Sequence, residues 1–210
     1  MAQPAPSYEQ SVFINCPYDR DYADLFCAVI LTTVAYGFEP RSAREAEHRS
    51  ETRFVRITEA LTNSKYSIHD LSRFTGEGVD NIARFNMPLE LGIAMALKIE
   101  RQATAGRPHN WLVLVPGSFE YQRFVSDLAG FDPRQHELSA SSIIREVASW
   151  LQAQEDTDAP DLPALRVYQL YPAFMDDVRR LAKEALGRSN WTDILNAAKR
   201  SVLSITASAP

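Results

Sequence analysis

At 210 residues the chain can hold one sizeable domain with an extension, or two small ones. Its 45% apolar and 23% charged content is that of an ordinary globular protein, and a net charge of -5 argues against broad nucleic-acid binding. Cys16 and Cys27 are too few for a disulfide framework and read as reduced core thiols, and no cysteine–histidine cluster has zinc spacing, so no metal is expected. Residues 1–10 have neither the basic start nor the apolar core of a signal peptide, and they read as a flexible terminus. The longest apolar runs fall far short of a membrane span, so a cytoplasmic location without a membrane partner is the expectation.

The first strand is predicted over Ser11–Asn15, followed by a turn punctuated by Pro17 and Asp19. Apolar spacing through Leu25, Phe26, Val29, Ile30 and Val34 predicts a helix over 22–36, stopped at Gly37. A second strand over 38–43 leads into a charged loop, 43–53, and a helix carrying Phe54, Ile57 and Leu61. The third strand covers 66–71. The segment 72–86, with Gly76 and Gly78, reads as a long loop of the kind that is usually functional. A helix over 88–98 follows, then the continuous apolar strand 111–115, which suits a parallel strand buried on both faces. Residues 119–128 read as helical, 135–138 as a short strand, and 141–153 as an amphipathic helix. The acidic, proline-bearing stretch 154–163 reads as a linker. Beyond it, 165–186 and 191–205 form a predicted helical hairpin around 187–190.

Strands alternating with helices over 11–153 predict an α/β domain, a flavodoxin-like doubly wound parallel sheet of about five strands, with a C-terminal helical extension over 164–210. In such sheets ligands bind beyond the carboxyl ends of the strands.

The most informative stretch lies there. Residues 84–98 read Arg-Phe-Asn-Met-Pro-Leu-Glu-Leu-Gly-Ile-Ala-Met-Ala-Leu-Lys and place Glu90 in an otherwise apolar helix. Pro88 looks like an early helix position, so Glu90 falls in the first turn of the expected helix. Two readings are open. Glu90 complements the helix dipole, an effect of ~0.3–1 kcal/mol, or it is a carboxylate facing a cleft, where charge is costly without a purpose. Gly92 costs a helix roughly 0.5–1 kcal/mol relative to Ala and suggests that something approaches closely.

Asp70 ends the third strand and is either a ligand group or a cap for the following loop, with Ser72 and Arg73 next to it. Asn15, Tyr18 and Asp19 border the crevice after the first strand, where Asp19 also suits a helix cap. No glycine lies between Ser11 and Tyr36, so this is not a glycine-rich phosphate loop. Arg41 and Arg44 can meet a phosphate or pair with Glu45 and Glu47, the second being the better fit. His69, in a buried-looking strand, reads as a satisfied core group. No serine–histidine–aspartate arrangement is legible.

Glu90-Leu91-Gly92-Ile93-Ala94-Met95-Ala96 resembles the catalytic helix of nucleoside 2-deoxyribosyltransferases, in which a Glu-Leu-Gly-x-Ala-x-Ala run supplies the nucleophile. Val12-Phe13-Ile14-Asn15 and the run from Ile57 to Ile68 resemble Toll–interleukin receptor (TIR) domains. The resemblance covers about residues 11–100. It departs where Phe85-Asn86-Met87 replaces the Trp-Cys-type run that usually precedes the TIR glutamate, and where the glycine-rich start of the transferases is missing.

Both families share the flavodoxin-like architecture, and both cleave N-glycosidic bonds. The resemblance implies an enzyme with Glu90 as catalytic carboxylate. It implies ribose contacts from Asp70 or Ser72, a base pocket lined by Asn15 and Tyr18, phosphate contacts from Arg41 or Arg44, and further substrate contacts from Asp19, Asn86 and Arg73, the last of which could hold a phosphate or be a surface arginine. It implies no cofactor, with NAD as the substrate of a TIR-like N-glycosidase, such as a bacterial stress or defence effector. The alternatives are a nucleoside or nucleotide deoxyribosyltransferase or hydrolase, and a non-enzymatic nucleotide-binding or signalling module. The partner is a nucleotide or dinucleotide in the first two cases. The second helix of the hairpin, with Trp191, Ile194, Leu195, Ala198 and Val202 at helical spacing, suggests self-association into a homo-oligomer or packing on its own domain.

Overall fold

The computed structural model describes residues 6–45, 51–73, 85–104, 106–117, 121–122, 125–128, 131–155, 157–187 and 189–206. Five strands form one sheet: β1 (Ser11–Asn15), β2 (Glu39–Arg41), β3 (Tyr66–Asp70), β4 (Asn110–Pro116) and β5 (Arg134–His136), in the order β2-β1-β3-β4-β5. The β1–β3, β3–β4 and β4–β5 pairs are all parallel. The order reverses direction between β1 and β3, which is the switch point of the doubly wound, flavodoxin-like class. The helices are α1 (Ala23–Ala35), α2 (Arg53–Thr62), α3 (Asn86–Thr104), α4 (Ala140–Gln152), α5 (Ala164–Glu184) and α6 (Trp191–Thr206).

Packing divides the chain into two compact units that do not follow the linear boundaries expected from composition. One contains Met1–Tyr18 and Arg41–Leu138; the other contains Asp19–Pro40 and Ser139–Pro210. The hairpin α5–α6 therefore belongs with α1 and α4, because a two-helix extension buries too little apolar surface alone.

In the first unit β1 and β3 are buried along their whole length. Their register sets Asn15 beside His69, and the β3–β4 register sets Asp70 beside Leu114. Two apolar clusters flank α3. Leu71, Met87, Leu91, Val113, Val115, Tyr121 and Leu128 form one, and Phe13, Ala43, Ile57, Ala60, Leu61 and Ala94 form the other. Helix α2 begins where Thr52 caps it, its hydroxyl accepting from the Val55 amide. Of the amino-terminal ten residues, 6–10 are described. Tyr8–Gln10 form a 3-10 turn capped by Ser7, and the Arg101 guanidinium donates to the Tyr8 hydroxyl at 2.9 Å.

In the second unit α1 is buried on nearly every side, from Leu25 to Ala35. Its two threonines satisfy their hydroxyls on the preceding turn, at 2.8 Å each to the Ala28 and Val29 carbonyls. Gly37 (φ +81°) closes the helix in the left-handed region that glycine tolerates. Trp191 of α6 packs at 6.2 Å from the ring of Phe26, and the Tyr171 hydroxyl of α5 donates to the Asp24 carbonyl. The expected linker is pinned at Leu162, whose carbonyl accepts from both Tyr36 and Gln152.

One predicted segment falls largely outside the described residues and another in part. The loop expected over 72–86 is described only at 72–73 and 85–86, and in 119–128 the described part is 3-10 rather than α-helical. Among the described residues no helix is long and apolar enough to cross a membrane. Both cysteines are buried and neither forms a disulfide.

Candidate active site

Apart from Asp19, every residue of the candidate site belongs to the first unit. Helix α3 starts at Asn86, two residues earlier than its sequence suggests, so Glu90 sits in the second turn and not the first. That removes the helix-dipole explanation, since the effect fades beyond the first turn. Glu90 is 4% exposed. Among the described residues its carboxyl group makes no hydrogen bond. Burial pushes its pKa up to about 7, with the Arg53 guanidinium pulling the other way. Among the described residues nothing approaches Gly92 closely: its surface is exposed, and none of them lies within 4 Å of where a Cβ would stand.

Tyr18 is near enough to Glu90 to feel its charge. Burial raises the phenol, and Glu90 raises it further. Its hydroxyl donates to the Ile14 carbonyl (3.3 Å) or bonds the Ser42 hydroxyl (3.0 Å), and the Arg53 guanidinium stands 5.6 Å from its ring centre. Tyr18, Arg53 and Glu90 thus mark one neighbourhood contributed by the loop after β1, the start of α2 and the start of α3.

Asn15 ties β1 to α3. Its Nδ2 donates to the Met87 carbonyl at 3.1 Å, which fixes the amide's orientation because a carbonyl only accepts. The same Nδ2 lies 3.0 Å from His69 Nδ1, which must then be the acceptor. His69 Nε2–H therefore donates to Ser67 Oγ (2.8 Å), the Ser67 hydroxyl to His109 Nε2 (3.1 Å), and His109 Nδ1–H to the Ser64 carbonyl (3.0 Å). One consistent direction satisfies every ring nitrogen with both imidazoles neutral. Burial pushes His69 down to about 3, with His109 adding to it, and burial is also the main cause that takes His109 to about 4. His69 is the satisfied core group that its strand context predicts. Asn15 Oδ1 is buried without a hydrogen-bond partner.

A second buried cluster closes the end of β3. Asp70 Oδ1 accepts from the Ser72 amide (2.7 Å), and Asp70 Oδ2 lies 3.0 Å from His136 Nε2, both side chains being fully buried. Ser72 Oγ lies 3.1 Å from that same Nε2, and the Leu138 amide donates to His136 Nδ1 at 3.2 Å. Serine, histidine and aspartate do come together here, but not as a catalytic triad. A triad uses opposite ring nitrogens for its acid and its nucleophile. Here Nδ1 is occupied by a backbone donor, so Nε2 carries the proton and cannot take one from Ser72. Leu138 adopts a left-handed backbone (φ 52°) while delivering that amide.

The remaining expected positions are less concentrated. Arg41 pairs with Glu45 (2.8 Å), as its spacing predicts, and Glu45 also accepts from the Ser42 amide. Arg44 and Arg73 are half-buried at the ends of β2 and β3. Asn86 is exposed at the first residue of α3. Asp19 belongs to the second unit and caps the 3-10 turn Arg20–Tyr22, accepting from the Tyr22 amide at 3.0 Å. His136, His109, Arg53 and Ser42 were not singled out from sequence. Only the knowledge that parallel strand ends meet at one sheet edge would have pointed to His136. Among the described residues no group of three or more His, Cys, Asp or Glu is arranged to hold a metal ion.

No family model matches the chain, and no curated protein matches it. Among solved structures it is similar to the TIR domains in the activated Roq1 resistosome, which directly recognises the pathogen effector XopQ. The identity is 6% and the TM-score 0.39, over 80% of this chain and 99% of that one.

Proposed function

We propose that the chain is a TIR-like N-glycosidase that cleaves the nicotinamide–ribose bond of NAD, with Glu90 as the carboxylate beneath the anomeric carbon. The observation that carries this reading is an acid buried to 4% exposure at the start of α3, with its pKa raised to about 7. A group in that state costs stability, and buried acids with shifted pKa values concentrate at functional sites. The motif resemblance of 12–15, 57–68 and 90–96 supports the reaction class.

In the proposed step the C1′–N bond breaks and nicotinamide leaves with the bonding electrons. Positive charge develops on the ribose ring, where ionised Glu90 stabilises it or bonds to C1′. Water then adds at C1′ and loses a proton, giving ADP-ribose. Tyr18 and Asn15 line the base side. Arg41, Arg44 and Arg73 stand at the ends of β2 and β3, where the proposal sets the pyrophosphate. Asp70 and Ser72 act by holding the end of β3 through His136.

Chromatography of NAD incubated with the protein tests this. Nicotinamide release is expected to fall on the order of a thousandfold or more in Glu90→Gln. The rate should rise with pH through about 7 as Glu90 ionises, and Arg53→Gln should move that midpoint upward. Wild-type turnover in Glu90→Gln sinks the assignment. Base release from deoxynucleosides but not from NAD would replace the dinucleotide with a nucleoside substrate. Silence with both would favour a binding module.

A further inference from the structure

Helix α3 buries one face and leaves an apolar one in solvent. Met87, Leu91, Ala94 and Arg101 are buried at spacings of four, three and seven residues. On the opposite face lie Phe85, Leu89, Gly92, Ala96, Ile99 and Ala103, spaced four, three, four, three and four. All six are exposed, Phe85 by 68%, Leu89 by 56% and Ile99 by 67%. This is the spacing of a coiled-coil seam, about 27 Å long at the helical rise. An ordinary surface helix turns charge to this side. Here Lys98 and Arg101 are turned onto Asn110, Tyr8 and Thr62, and Glu100 is the one exposed charged residue of the described α3.

The seam is also symmetric. It reads the same from either end about the level of residue 94, so an antiparallel copy sets Phe85 against Ala103, Leu89 against Ile99, and Gly92 against Ala96. Large meets small at both ends, and the two smallest residues share the crossing point, where backbones come closest. A parallel copy would stack Gly92 on Gly92 between Leu89 and Ala96 layers and leave a gap. A patch that complements itself under a two-fold rotation fits a second copy of the same chain. The absence of any atom within 4 Å of a Cβ on Gly92 agrees with this: the close approach that a helical glycine implies is open to a neighbour outside the chain.

We infer that the chain forms a two-fold dimer through antiparallel contact of the exposed α3 faces, centred on Gly92 and Ala96. The interface is independent of the reaction assigned to Glu90.

Light scattering of the full chain over a dilution series tests it, with a dimer expected at the concentrated end. Gly92→Gln should weaken the dimer about tenfold or more, since a long side chain at the crossing point holds the helices apart. It should not harm folding, because the space above Gly92 is open and glutamine is the better helix former. Ile99→Glu should act the same way, and thermal melts of both should stay cooperative. Phe85→Lys and Ala103→Glu should each weaken association, and combined in one chain they should restore it, because 85 faces 103 of the partner. A wild-type chain that is monomeric throughout, a dimer that Gly92→Gln or Ile99→Glu leaves intact, or a charge pair that fails to rescue overturns the inference.

Discussion

Asp70 and Glu90 are both buried acids near the carboxyl ends of β1 and β3, yet they are held in opposite ways. Asp70 has a backbone amide on one oxygen and an imidazole on the other. Glu90 stands near Arg53 and Tyr18, makes no hydrogen bond among the described residues, and has a pKa raised by burial to about 7. A buried carboxylate with its lone pairs satisfied is part of the framework. One left unsatisfied is poised to exchange charge with something that arrives. The comparison separates the residue that builds this edge of the sheet from the residue proposed to act there.

Substitutions at the two acids should have opposite effects. Asp70→Ala should cost about 3 kcal/mol of unfolding free energy, because the Ser72 amide and His136 Nε2–H both lose a buried acceptor. A denaturant titration showing less than about 1 kcal/mol would mean that Asp70 is not the framework acid.

Glu90→Gln should do the reverse. Raised above its unfolded value near 4.5, Glu90 contributes most to stability below that pH, and the contribution is lost as pH rises through about 7. Glutamine mimics the protonated acid, so the variant should match wild type near pH 4 and exceed it by roughly 2–3 kcal/mol at pH 8. The difference between the two melts also cancels the opposite trend of His69 and His109. Their depressed values give stability that is present above about 6.5 and lost as pH falls through about 4 and then about 3. Equal stabilities at pH 8 would show that Glu90 is not buried as a charge.

Ser72→Ala sharpens the contrast with the smallest effect, about 1 kcal/mol. His136 Nε2–H keeps Asp70 as acceptor when the hydroxyl goes, and the Ser72 amide still reaches Asp70. A loss as large as that of Asp70→Ala would mean that the hydroxyl, and not the carboxylate, holds the cluster.

Local pattern was enough for the succession of strands and helices and for singling out Glu90 as the unusual acid. These are local properties: apolar periodicity, punctuation by glycine and proline, and a charge inside an apolar run. The boundaries of β1, α1, β3 and α6 fall within a residue or two of their patterns for that reason. The sequence also showed why Arg41 would find Glu45, four residues away.

Tertiary structure alone decided the rest. Asp70, Ser72 and His136 are more than sixty residues apart at the extreme and meet because parallel register brings strand ends to one edge. The proton direction through His69 and His109 follows from a single carbonyl, that of Met87, which no local pattern reveals. The grouping of α1 and α4 with the hairpin is a matter of which apolar faces found one another. The two faces of α3 are equally apolar in sequence, and only burial says which one the fold used and which it left open.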